Sequence, residues 1–328
     1  MSGRRRILLG VLVGCAITTH LDIRAQGARK VARIGWLGSS PVAPSPAWDA
    51  FVEGMRELGW VEGRDYTVEN LLSEGRNERL PALAAELVQR KVDLIVCGGT
   101  PPTSAAMKAT STIPIVFYYA GDPVGSGLVA SLARPGGNVT GLGGLGIGLH
   151  AKQLELLKEA VPKATRIAMM FNPDFPLHTA NRVEVEPAAR QLGLTLRPIE
   201  LRTPADIEPA FAALAREKVD ALHIFGQPFL FAHGARVAAL AIEHKLPAMI
   251  PFVEVVKAGL LKSYGDRMID SVRRVPYYID RILKGASPAE LPVEQSTRFY
   301  LAVNLKTAGA IGLTVPQGVL LRADEVIQ

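Results

Sequence analysis

The order of secondary-structure signals occurs twice in this chain, and that repetition limits its fold more than any single motif. Residues 31–37 (VARIGWL) predict a strand, 47–58 a helix stopped by Gly59, and 65–72 a second strand. Residues 79–90 follow as a helix with Leu80, Leu83 and Leu87 on one face. Residues 92–97 make a third strand, ending in Gly98-Gly99-Thr100. From Arg166 the order returns as RIAMMFN, a helix ending at Leu192-Gly193, a strand over 194–201 and a helix over 207–217. Lys218-Val219-Asp220 then leads into ALHIFG, as Lys91-Val92-Asp93 leads into LIVCGG. Matched points are offset by 133, 134 and 127 residues, far beyond the period of a solenoid repeat. Strands alternating with helices require right-handed crossovers and a parallel sheet. The prediction is an α/β protein of two similar, doubly wound parallel-sheet lobes joined by a hinge.

Residues 113–146 lie between the two halves and serve as both cleft wall and crossover. The apolar, β-branched and aromatic run 113–119 predicts a buried strand. It ends in Ala120-Gly121-Asp122-Pro123, which sets a carboxylate where the strand meets a cleft. A short helical pattern follows, then the turn Arg134-Pro135-Gly136-Gly137-Asn138 and a strand that dissolves into glycines. Beyond the second repeat come a helix over 232–244, strands over 247–252 and 260–264, and an amphipathic helix over 271–284. The tail predicts a strand near 299–303 and a helix near 305–311. On this reading lobe one is 31–145 plus about 262–290, and lobe two is 146–261 plus about 291–328.

Composition removes several classes of function. With 328 residues, 48% hydrophobic and 21% charged, each half can bury its own core. The net charge of +6 falls to +3 once residues 1–25 are set aside, and no basic run with interleaved aromatics remains for nucleic acid. The two cysteines, Cys15 and Cys97, have no zinc-site or disulfide spacing, and the six histidines are scattered, so neither metal nor other cofactor is expected.

Residues 1–25 have the layout of a secretory signal peptide. Arg4 to Arg6 precede an apolar stretch over 7–17, too short to span a bilayer, and a polar region ends at Arg24-Ala25. Cleavage after Ala25 would release a soluble periplasmic protein; alternatively Leu12-Val13-Gly14-Cys15 resembles a lipoprotein box that would anchor the chain through Cys15.

In open parallel sheets ligands sit beyond the carboxyl ends of the strands. Those ends carry Ser39 and Ser40, Thr100, Asp122, Asn172 and Gln227. Ser39, Ser40, Thr100 and Thr103 precede or open helices, whose free N–H groups favour an anion such as a carboxylate, while Asp122 could hold an ammonium. That combination suits a zwitterion such as an amino acid. Tyr118, Tyr119, Phe175, Phe229 and Phe231 are aromatic candidates for its side chain. Gly141-Leu142-Gly143-Gly144-Leu145-Gly146 fits G-x-G-x-x-G, but the next strand ends more than 30 residues on, in Asn172 rather than an acid, so the glycines read as a hinge. No G-x-S-x-G elbow is present, and no strand-end nucleophile has an evident base.

Several longer passages resemble one family. GGTPPTSAAMKATSTIPIVFYYAGDPVGSGLVASLARPGGNVTGL (98–142), AKQLELLKEAVPKATRIAMMFNP (151–173), LKSYG (261–265), ILKGASPAELPVEQSTRFYLAVNLKTAGAIGLTVP (282–316) and LLRADEVIQ (320–328) are similar to periplasmic substrate-binding proteins of ABC transporters, in the group with tryptophan-binding members. The resemblance implies a type I periplasmic-binding-protein fold, with three crossovers and a ligand between the lobes. It places the cleft residues on Ser39 or Ser40, Thr100, Asp122, Asn172 and Gln227. The helix following Asp266 would return to the first lobe. Two departures stand out: the glycine-rich crossover at 143–148, and Phe175-Pro176-Leu177 where a polar residue is usual. The expected function is an exported, non-enzymatic, monomeric binding protein that closes on a small ligand, an aromatic amino acid among the candidates, and delivers it to an inner-membrane permease. A periplasmic sensor subunit and a nucleotide-dependent oxidoreductase are the alternatives.

Overall fold

Each repeat builds one sheet, and the chain crosses between the two sheets three times. The computed structural model describes residues 30–39, 46–144, 148–227, 229–296 and 298–328. The expected leader, with Cys15 and Ala25, lies outside these residues, as do Ser40 and residues 145–147 of the first crossover. The first lobe runs β1 (Ala32–Gly38), α1 (Pro46–Glu57), β2 (Tyr66–Leu72), α2 (Leu80–Gln89), β3 (Leu94–Gly98), α3 (Thr100–Ala109), β4 (Ile115–Ala120) and β5 (Val139–Gly143). The second runs α4 (Leu149–Ala160), β6 (Arg166–Phe171), α5 (Pro176–Gln191), β7 (Thr195–Glu200), α6 (Ile207–Glu217), β8 (Ala221–Ile224), α7 (Phe229–Glu243), β9 (Ala248–Ile250), α8 (Val253–Lys257) and β10 (Lys262–Gly265). The chain returns to the first lobe with α9 (Met268–Leu283) and β11 (Glu294–Gln295). It finishes on the second with β12 (Tyr300–Asn304), α10 (Leu305–Ala310), α11 (Gln317–Leu320) and β13 (Glu325–Ile327).

The strand orders are β2-β1-β3-β4-β5-β11 and β7-β6-β8-β9-β10-β12-β13. The first five strands of each sheet thus follow one order, as the duplicated sequence requires. Pairing is parallel throughout except between β10 and β12. Central β1 is buried along almost its whole length, which is why it reads as an apolar run broken only by half-buried Arg33. Edge strand β7 is exposed at most of its positions and tolerates Pro198, which a central strand would not. α9 packs Val272, Val275 and Ile279 with Phe51 and Met55 of α1, and the Trp60 indole N–H donates to Asp280 Oδ1 at 2.9 Å.

Three sequence expectations change. Residues 262–265 pair with β9 and β12, so the return to the first lobe begins at α9 rather than near 262. Glu294-Gln295 pairs with β5, so the last crossover falls after 295 rather than near 291. An apolar pattern marks a strand but not the sheet it joins. The short helix expected after Pro123 is instead a series of turns. Asp122 (φ 38°) and Gly127 (φ 72°) are left-handed, and the Ser126 hydroxyl donates to the carbonyls of Gly121 and Asp122, which favours turns over a helix.

Candidate functional site

The carboxyl ends of both sheets face one inter-lobe cleft of about 1070 Å³. It is lined by Ser39 after β1, Gly98, Gly99 and Thr100 after β3, and Gly121 and Asp122 after β4. The second lobe contributes Asp174 and Phe175 after β6 and Gly226 and Gln227 after β8. These lie at the switch points of the two sheets, where helices leave to opposite faces and a crevice opens.

On the first lobe, polar groups are left unsatisfied. Ser39 is buried, and its hydroxyl has no hydrogen-bond partner among the described residues. Thr100 opens α3 and donates weakly from its hydroxyl to Gly121 O at 3.4 Å. Pro101 and Pro102 have no N–H, so the first turn of α3 offers an anion only the Thr100 amide, fewer donors than the sequence reading assumed. Thr103 is fully buried and donates to Gly99 O at 2.7 Å, which makes it a brace rather than a ligand contact.

Asp122 is held on a strained loop. Its Oδ1 accepts from Gly125 N at 2.9 Å, and a Cβ at residue 125 would stand 2.0 Å from Oδ2, so a side chain there would push the Asp122 carboxylate out of this position. Tyr119 is also left-handed (φ 59°), at a bulge in the β4–β5 pairing, and its ring packs against the cores of both lobes. Two non-glycine residues in this conformation within four positions concentrate strain at the cleft edge.

On the second lobe, the same strand ends are saturated. Asn172 is buried behind the cleft wall rather than on it: its Nδ2 donates to Gln227 Oε1 and Arg202 O, both at 3.3 Å, and its Oδ1 accepts from Asp174 N at 2.9 Å. Gln227 does line the cleft, yet its Nε2 donates to Leu201 O at 3.0 Å, so its carboxamide is already engaged at both ends. His178 accepts from Asn172 N on Nδ1 at 3.0 Å, which leaves its proton on Nε2 to be donated to Gly226 O at 3.0 Å. Burial pushes the His178 pKa down to about 4.

Sequence reasoning missed His150, His178, Phe252 and Glu254, all of which line the cleft. His150, His178 and His223 come from α4, α5 and β8, and no sequence spacing announces their meeting. Each is held neutral by burial, His223 down to about 3 and His150 well below its usual range. Among the described residues no group of His, Cys, Asp and Glu could hold a metal. Of the aromatic candidates, Tyr118, Tyr119 and Phe175 line the cleft and Phe229 packs into the second-lobe core; the Phe231 side chain lies outside the described residues. Beside the second crossover, both carboxylate oxygens of buried Asp266 have no hydrogen-bond partner among the described residues, and burial raises its pKa to about 6. Gly141 is explained by packing, since a Cβ there would meet Phe117 O at 2.0 Å.

Known proteins share this architecture. The chain is 26% identical over 285 residues to a tyrosine-binding protein of Clostridioides difficile, covering 84% of this chain and 81% of the relative. A Streptococcus pneumonia ABC domain in complex with L-Trp superposes with a TM-score of 0.81 at 26% identity, covering 90% of this chain and all of the other. A ligand-free, open substrate binding protein from Clostridium difficile matches at 0.62 and 25% identity, covering 91% and 100%. The two lobes have the type I periplasmic-binding-protein fold, and these relatives bind substrates rather than transform them. The family model for ABC transporter substrate binding proteins matches residues 44–327, and the chain belongs to that family.

Proposed function

We propose that this protein captures an aromatic amino acid between its lobes and delivers it, as an exported monomer, to an inner-membrane permease. The observation that carries the reading is the cleft, with unsatisfied polar side chains, Ser39 and Asn181 among them, beside aromatic rings. The Ser39 hydroxyl and Thr100 amide suit the ligand's carboxylate, and Asp122 suits its ammonium. Tyr118, Tyr119, Phe175 and Phe252 supply flat apolar surface for a ring. Relatives that bind tyrosine and tryptophan favour the same class.

Export rests on the leader pattern of residues 1–25, with release after Ala25 or anchoring at Cys15. Among the described residues no helix is long and apolar enough to cross a membrane. The intact mass of the mature protein distinguishes the two exits. The ligand is tested by a thermal-shift screen of the purified protein against amino acids, sugars, purines and small carboxylates. Aromatic amino acids at 100 times Kd should stabilise it by about 2.7 kcal/mol. Silence for every amino acid alongside a shift with another class would overturn the ligand.

A further inference from the structure

We propose that His150 reads the ligand's side chain: its Nε2 accepts a hydrogen bond from a donor on the ring, so the cleft selects tyrosine or tryptophan over phenylalanine. This rests on the aromatic amino-acid reading of the cleft and specifies it.

The argument begins at a backbone carbonyl. Tyr264 O can only accept, and the Gln153 nitrogen Nε2 lies 2.6 Å from it, which fixes the orientation of that carboxamide. Gln153 Oε1 therefore faces the two imidazoles, 2.9 Å from His150 Nδ1 and 2.9 Å from His223 Nε2. An amide oxygen only accepts, so both of those ring nitrogens carry protons. In neutral rings the remaining nitrogens are then bare lone pairs. His223 Nδ1 is buried without a partner among the described residues, and His223 does not line the cleft. His150 Nε2 also lacks a partner among the described residues, and His150 does line the cleft.

The ring cannot easily turn away. It is stacked on Phe225 with centroids 4.0 Å apart and planes at 24°, and it is tethered through Nδ1. His150 is thus a preorganised acceptor beside the apolar surface of Phe175 and Leu177. His178 lines the same wall but commits both nitrogens to the backbone, so of the two cleft histidines the acceptor is His150; Asn181 Oδ1 is the other unpartnered acceptor on this wall, and the His150 variants below separate the two. A phenol O–H or indole N–H satisfies the lone pair; a phenyl ring buries it without a partner, which penalises the wrong ligand more strongly than a missing contact would.

Isothermal titration of the purified protein with L-tyrosine, L-tryptophan, L-phenylalanine and 4-fluoro-L-phenylalanine tests this. The fluoro compound has nearly tyrosine's size but no donor. Both donor-free ligands should bind about tenfold or more weaker than the better of tyrosine and tryptophan. H150F keeps a ring against Phe225 and removes the acceptor, and should bring phenylalanine within about twofold of the others; H150L serves if that variant does not fold. Phenylalanine within about twofold of both donors in the unaltered protein, or a preference that survives either variant, overturns the proposal. Binding of none of the four removes the aromatic amino-acid reading and the proposal with it.

Discussion

The two lobes share one strand order, yet their switch-point ends use polar groups in opposite ways. After β1 and β3 the first lobe leaves the Ser39 hydroxyl and Thr100 amide without hydrogen-bond partners among the described residues. After β6 and β8 the second ties Asn172, His178 and Gln227 into a closed network. Topology therefore provides the crevice twice, while side-chain hydrogen bonding decides which strand ends offer new bonds; on the second lobe the open groups, His150 and the side-chain oxygens of Asn181 and Glu254, lie on helices instead. An unsatisfied hydroxyl is an expense that a ligand can reverse; a satisfied amide adds rigidity and little affinity.

The largest test of this contrast is pH. His178 and His223 have folded pKa values depressed to about 4 and about 3, so the stability they contribute is fully present above about 6.5 and is lost as pH falls from there through those values. His178 alone accounts for about 3 kcal/mol by pH 4. Asp266 works in the opposite sense: its pKa is raised to about 6, so its contribution is present below about 4 and lost as pH rises through 6. Urea unfolding between pH 7.5 and 4 should show the acid loss, steeper in D266N, and hydrogen exchange should show the second lobe losing protection first. Equal loss of protection in both lobes would erase the contrast.

Replacing Asn172 comes next. N172A leaves Gln227 Oε1, Arg202 O and Asp174 N each without its partner and should lower stability by about 2–4 kcal/mol, read by denaturant midpoint. A loss of ligand affinity with full stability would move Asn172 onto the binding surface. D122N is smaller and of the opposite character. Its Oδ1 can still accept from Gly125 N, so folding should change little while affinity for a zwitterionic ligand falls about tenfold to a hundredfold. The smallest effect belongs to S39A, which should weaken binding about threefold to tenfold and leave the melting temperature unchanged or slightly higher, because the hydroxyl has no partner to lose among the described residues. A destabilised S39A would place Ser39 with the braces.

Much of the frame could be read directly. Helices and strands stood close to their predicted places because the apolar periods of both repeats agree with where the sheets bury them. Of the strand-end residues, Ser39, Thr100, Asp122 and Gln227 line the inter-lobe cleft. The pattern could not separate lining from bracing. Asn172 and Gln227 look as polar in sequence as Ser39, and only their partners 30 and 55 residues away from Asn172 distinguish them. The two prolines that strip donors from α3 were visible, and their consequence for an anion follows from covalent structure alone.

By itself, then, the sequence determined a duplicated α/β frame, its strand ends and the local chemistry offered there, since these depend on periodicity, turn residues and backbone donors close in the chain. Tertiary structure alone decided which strands closed each sheet, which polar groups were already satisfied, and that His150, His178 and His223 meet beside the cleft. Those outcomes depend on hydrogen bonds and burial between residues from about 30 to more than 100 positions apart, such as Gln153 with Tyr264, and no local pattern records a contact of that range.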